Sequence, residues 1–171
     1  MVRKYLRLII AGILLLESIY LFVSSMVSYG ILAFIVTGLF VLFHFKNEKN
    51  VLAFYFVRKA KFDKAGDVLG RVKHPEAMIK SQEAYYYYLS GLVESQQNNG
   101  SQAEKHFKKA LSTGLRTSTD QAVAKLNLSG IYLSKRNKKL SKYYLTEAKK
   151  LDKQKMLSAQ VKEIEAMMKR I

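Results

Sequence analysis

Between residues 8 and 45 the chain carries no lysine or arginine and a single acid, Glu17, and this stretch constrains the fold more than any other feature. It divides into apolar runs at 8–23 and 27–45, separated by Ser24, Ser25 and Met26. With Tyr5 and Leu6 in front of it, the first run approaches the roughly 20 residues a helix needs to cross hydrocarbon. The second run is rich in Ile, Leu, Val and Phe, with Gly30, Ala33, Thr37 and Gly38 interspersed. The pattern predicts a transmembrane helical hairpin over 1–45 that turns about Met26.

A secretory signal is the competing reading, because Arg3, Lys4 and Arg7 precede an apolar stretch. Against it, Ser24-Ser25-Met26 is a weak cleavage site and the next apolar run begins at once. Basic residues flank both runs, Arg3, Lys4 and Arg7 before the first and Lys46, Lys49, Arg58 and Lys59 after the second. The positive-inside tendency then places both termini in the cytoplasm. His44 would sit at the membrane interface with Phe43 and Phe45, and a bacterial inner membrane is the location expected by analogy.

Glu17 is costly in hydrocarbon, by roughly 2.5 kcal/mol or more if ionised. In a hairpin folded about Met26 it lies near the depth of Thr37. One outcome is a contact from Glu17 to Thr37, and the other is a contact between these residues and a second membrane subunit.

Of 29 basic and 13 acidic residues, all but Arg3, Lys4, Arg7 and Glu17 follow residue 45, so the remainder of the chain is strongly basic. There is no cysteine, which excludes disulfides, thiolate metal sites and a cysteine nucleophile. In this part apolar residues recur at helical spacing on both sides of Gln97-Asn98-Asn99-Gly100, a turn signal. Ser101-x-x-Glu104 reads as a capping box opening the second helix. Tyr87, Gly91, Ala103, Phe107 and Ala110 then place an aromatic and small residues where two antiparallel helices approach closely.

This unit resembles the tetratricopeptide repeat, with Tyr87 in the aromatic position, Gly91 in the glycine position, and Ala103, Phe107 and Ala110 on the second helix. Ser90 and Glu94 depart from the family pattern. A looser copy follows Ser118-x-x-Gln121 and runs through Leu126, Gly130, Leu133, Leu145 and Ala148, with Ser141 in an alanine position. Its turn near Arg136-Asn137-Lys138 reads as one residue shorter. A third, degenerate copy precedes both, its first helix at about 46–59 and its second starting at Phe62, ended by His74-Pro75.

The expected fold class is therefore all-α: two transmembrane helices (1–45), a short α-solenoid of three helix pairs (46–152), and a capping helix (153–171). Met156, Leu157, Val161, Ile164 and Met168 would form the apolar face of that last helix.

No catalytic residue, metal site or cofactor site is expected. His44, His74 and His106 stand apart, with His106 read as solvated, and there is no H-E-x-x-H spacing or glycine-rich phosphate loop. Fold resemblance implies a binding mode without naming a partner. It implies a groove for a partner protein lined by Tyr85, Tyr88 and Leu92, and in the next unit by Asn127, Ile131 and Ser134. The other reading of the tyrosines is packing against neighbouring repeats. The clusters Lys135-Arg136, Lys138-Lys139 and Lys149-Lys150 suit anionic lipid, an acidic protein or plain solvation; nucleic acid is disfavoured because no recognition motif accompanies the charge. The function expected is a membrane-anchored adaptor at the cytoplasmic face, or else a structural subunit of a membrane complex that contacts its neighbours through the hairpin.

Overall fold

The computed structural model describes the backbone of residues 2–45 and 48–170, and the side chains of residues 9–41 and 48–170. The described residues are helical and fall into two compact units, 1–48 and 49–171.

In the first unit, α1 (Val2–Val23) and α2 (Val27–Phe45) form an antiparallel pair. The turn lies where the sequence predicts: Ser25 takes φ 63°, and the Met26 N–H bonds the Leu21 carbonyl at 3.0 Å. Ser18, buried in the seam, donates to the Gly30 carbonyl at 2.9 Å. Gly30 approaches Phe22 closely, since a Cβ there would lie 3.2 Å from its ring.

The transmembrane expectation is corrected. Among the described residues no helix is long and apolar enough to cross a membrane. The first run is also interrupted by Glu17, which is costly in hydrocarbon. The transmembrane hairpin, the integral-membrane location and the membrane anchor are therefore withdrawn, and with them the subunit that docks through such a hairpin. Arg3, Lys4, Arg7, Phe43, His44, Phe45 and Lys46, used for orientation and interface placement, lie outside the residues whose side chains are described.

The second unit contains α3 (Glu48–Arg58) and α4 (Phe62–Gly70), a short 3₁₀ turn (Pro75–Ala77), α5 (Lys80–Gln96) and α6 (Gly100–Thr113), α7 (Ser118–Ser134) and α8 (Lys138–Leu151), then α9 (Ser158–Arg170). Within each pair a three-residue link reverses the chain, with the middle residue left-handed: Ala60 (φ 54°), Asn98 (φ 59°) and Arg136 (φ 57°). The next N–H bonds the carbonyl five residues back in all three, Lys61 to Phe56, Asn99 to Glu94 and Asn137 to Tyr132, each at 2.9 Å. This is the Schellman closure, which satisfies carbonyls that a helix end leaves without partners. The left-handed residues are evenly spaced at 38 residues (98 − 60 and 136 − 98). The link after α7 is thus as long as the one after α5, correcting the shorter turn expected there.

That spacing also aligns the seams. Ala53, Gly91 and Ser129 occupy one position on the first helices, and Ala65, Ala103 and Ser141 face them on the second, all buried. Small residues there let each pair close. Gly91 is the tightest point, because a Cβ on it would lie 2.8 Å from the ring of Phe107, which is 0% exposed. In the following pair Ser129 Oγ instead donates to the Ser141 carbonyl at 2.9 Å. Gly130 faces open space, with nothing within 4 Å of a Cβ.

Neither expected capping box forms as drawn. Asn99 precedes α6 without a side-chain cap, and Glu104 turns to tertiary partners. At α7 the cap is Thr117, accepting from the Asp120 N–H at 3.1 Å, while Gln121 donates to the Leu115 carbonyl.

Two apolar cores result. One runs through the α3 to α7 region about Leu89, Phe107 and Leu128; the other joins α7 and α8 to α9 through Leu126, Leu145, Leu157, Val161 and Ile164. Met156, expected on that face, is 63% exposed because it lies in the turn before α9, where Asp152 accepts from the Met156 and Leu157 N–H groups. Met168 packs at the edge of the second core.

Candidate binding groove

A cavity of about 390 Å³ opens where the C-terminal ends of α5 and α7 meet α9. From α7 it takes Leu126, Asn127, Gly130, Ile131 and Ser134; α5 and its turn add Ser95 and Asn98, and α9 adds Gln160, Glu163, Ile164 and Met167. It continues into an apolar recess of about 290 Å³ between Leu133, Met167 and Arg170. Helical periodicity explains the lining. On α7, residues 127, 130, 131 and 134 share one face at i, i+3, i+4 and i+7 spacing, while Ser129 and Tyr132 point to α8.

Asn127 is held rather than free to swing: its Nδ2 donates to the Val123 carbonyl at 2.9 Å and its Oδ1 accepts from Ser95 Oγ at 3.3 Å. That leaves one amide hydrogen available to a ligand. Ser134 donates to the Ile131 carbonyl at 2.8 Å, and its oxygen remains an exposed acceptor. Ile131, Ile164 and Met167 supply an apolar floor between these polar groups and Glu163.

Tyr85, Tyr88 and Leu92, expected in the same groove, do not line it. The Tyr88 ring is 6% exposed and packs against Tyr85 and Phe107, with centroids 5.8 Å and 6.5 Å away. Burial first, then the Asp120 charge, the neighbouring Tyr85 and a hydrogen bond to Asp120 push its phenol well above the usual range. Tyr85 lies between Tyr88 and Phe54 (5.9 Å), and burial with the Asp120 charge raises its phenol to about 12. Leu92 packs on the first core. These rings seal α5 against its neighbours.

Tyr87 lies on the side of α5 toward α6, stacked on His106 at 6.0 Å with Lys109 5.9 Å from its centroid. His106 is half-buried and not solvated as expected; burial lowers its basicity. Ala103, Phe107, Ala110 and Ala148 are each 0% exposed in the seams. In the first unit no hydrogen bond joins Glu17 to Thr37. Glu17 is exposed, and the Thr37 hydroxyl donates to its own helix at the Ala33 carbonyl, 2.8 Å away.

A polar cluster that sequence reasoning missed ties α6 to α7. Glu104 accepts from Lys108 (2.6 Å), Tyr132 (2.6 Å) and Lys135 (2.5 Å). The hydrogen bonds from Lys108, Lys135 and Tyr132 hold its carboxyl down at about 2. Tyr132 in turn stacks on Tyr144 of α8 at 5.5 Å. The spacing of 31 residues between Glu104 and Lys135 carries no local signal.

Among the described residues no group of His, Cys, Asp and Glu could hold a metal ion. No protein-family model, curated protein or solved structure matches the chain.

Proposed function

We propose that this chain is a non-enzymatic adaptor of tetratricopeptide-like build, whose second unit binds a peptide segment of a partner protein in the groove between α5, α7 and α9. The observation that carries this reading is the groove itself: an apolar floor of Ile131, Ile164 and Met167 beside Asn127, Ser134 and Gln160, on a scaffold of recurring helix pairs. Stacked helix pairs create such surfaces without a reacting group, and a peptide uses both the apolar floor and the fixed amide.

Selection of random displayed peptides on the full chain tests it. Peptides that bind should lose at least about tenfold in affinity to an Asn127→Arg/Ser134→Arg variant, as when a buried contact is replaced by an unpaired charge. They should bind a Lys109→Gln control unchanged. Peptides that bind all three proteins alike would reject the groove.

A further inference from the structure

The outward face of α8 is almost purely cationic. Lys138, Lys139, Lys142, Lys149 and Lys150 share one broad arc with Thr146 and Tyr143, all exposed, while Ser141, Leu145 and Ala148 point inward. Its two halves differ. Toward the C-terminus the lysines have carboxylate partners within the chain: Lys149 bonds Glu165 at 2.9 Å, and Lys150 bonds Glu147 at 2.9 Å. Toward the N-terminus Lys138, Lys139 and Lys142 have none among the described residues, and the first turn contains no acid. Positive charge there opposes the helix dipole, so the sequence carries this cluster at a cost to α8. Beside Lys139, on the flank away from Lys138 and Lys142, stand two exposed apolar side chains, Tyr143 (58%) and Leu140 (37%).

We propose that the N-terminal half of α8 docks an acidic polypeptide segment, whose carboxylates pair with Lys138, Lys139 and Lys142 as Glu165 and Glu147 pair with the lysines further along, and whose apolar residue rests on Tyr143 and Leu140. The chemistry selects this class of partner over other polyanions. All five cations are lysines, whereas tight recognition of phosphate favours the planar arginine fork. A convex helix face with one exposed ring also lacks the groove and stacking platform that track a nucleic-acid strand. The surface is distinct from the α5/α7/α9 groove and stands or falls separately from it.

The test uses the full chain in a non-ionic detergent that covers its exposed apolar hairpin. A fluorescent glutamate-rich peptide with a central leucine is titrated by anisotropy, beside a glutamine-for-glutamate peptide, a single-stranded RNA of similar length and vesicles of anionic lipid. The acidic peptide should bind, the glutamine peptide should not, and affinity should fall as salt rises. Lys138→Gln/Lys139→Gln/Lys142→Gln should weaken binding about tenfold, since three exposed ion pairs are lost. The corresponding triple arginine variant, which keeps the charge, should restore it, and Asn127→Arg/Ser134→Arg should leave it unchanged. Equal binding by wild type and the triple glutamine variant overturns the proposal. So does a preference for RNA or vesicles that the same three substitutions abolish.

Discussion

Gly91 and Gly130 both lie inside long helices, so the same substitution at each separates packing from propensity. Alanine gains roughly 0.8–1.0 kcal/mol over glycine in a helix interior. At Gly130 nothing opposes that gain, because no atom lies within 4 Å of the added carbon. Gly130→Ala should therefore stabilise the second unit by about 0.5–1 kcal/mol. At Gly91 the new carbon would lie 2.8 Å from two ring atoms of Phe107, which is 0% exposed and has nowhere to move. Overpacking of that kind costs typically 1–3 kcal/mol. Less the same propensity gain, Gly91→Ala should destabilise by about 1 kcal/mol. Urea unfolding followed by far-UV circular dichroism reads both changes, and hydrogen exchange on α5 and α6 localises the second. The next helix pair shows a compensated version of the contact, with Ser129 and Leu145 in the corresponding positions. Phe107→Leu should accordingly recover part of the loss in the Gly91→Ala background, with a coupling of at least about 0.5 kcal/mol. Equal effects of alanine at the two glycines, or strict additivity with Phe107→Leu, would refute the reasoning.

Arg136→Gly should stabilise by about 1 kcal/mol, because φ 57° is costly for an L side chain and free for glycine; a rise in the urea midpoint checks it. Glu104 has a folded-state carboxyl pKa of about 2, below the ordinary value, so its stabilisation is complete above the unfolded pKa and fades as pH falls toward 2. Glu104→Gln should lower stability at pH 7 and flatten the decline between about pH 4.5 and 2 in acid titrations. Ile164→Ala should cost about 2 kcal/mol, the low end for a buried aliphatic given its 8% exposure, and should speed hydrogen exchange in α9 before it does so in α5.

Much of the second unit was legible because short-range signals agreed with one another. Small residues at Gly91 and Ala103, an aromatic at Phe107 and the Asn98-Asn99 turn all act within one helix pair. The register of the next pair was less legible: matching glycine to glycine favours Gly130, whereas the backbone spacing puts Ser129 in the seam, where a hydroxyl pair replaces the missing side chain. Ala60 and Arg136 gave no sign of left-handed geometry, since the closing bond is made by backbone groups that every residue but proline possesses. The lining of the cavity was partly legible. Asn127, Ile131 and Ser134 follow from the face they share, but Tyr85 and Tyr88 were drawn into the seams by Phe54 and Asp120, which lie too far away in sequence to be foreseen.

Glu104 and Asp152 show what separates a fixed wall of the groove from a yielding one. The α7 wall is clamped through Tyr132 and Lys135 to a carboxylate on α6, so its displacement would break charged bonds between two helix pairs. The α9 wall is the last helix described; it rests on a short row of aliphatic side chains and one exposed ion pair, Lys149 to Glu165. It hangs from a link pinned by the two N–H bonds to Asp152. The groove thus has one stiff jaw and one compliant jaw. Under the proposed peptide-binding reading, α9 rather than α7 is the wall that adjusts to peptides of different girth.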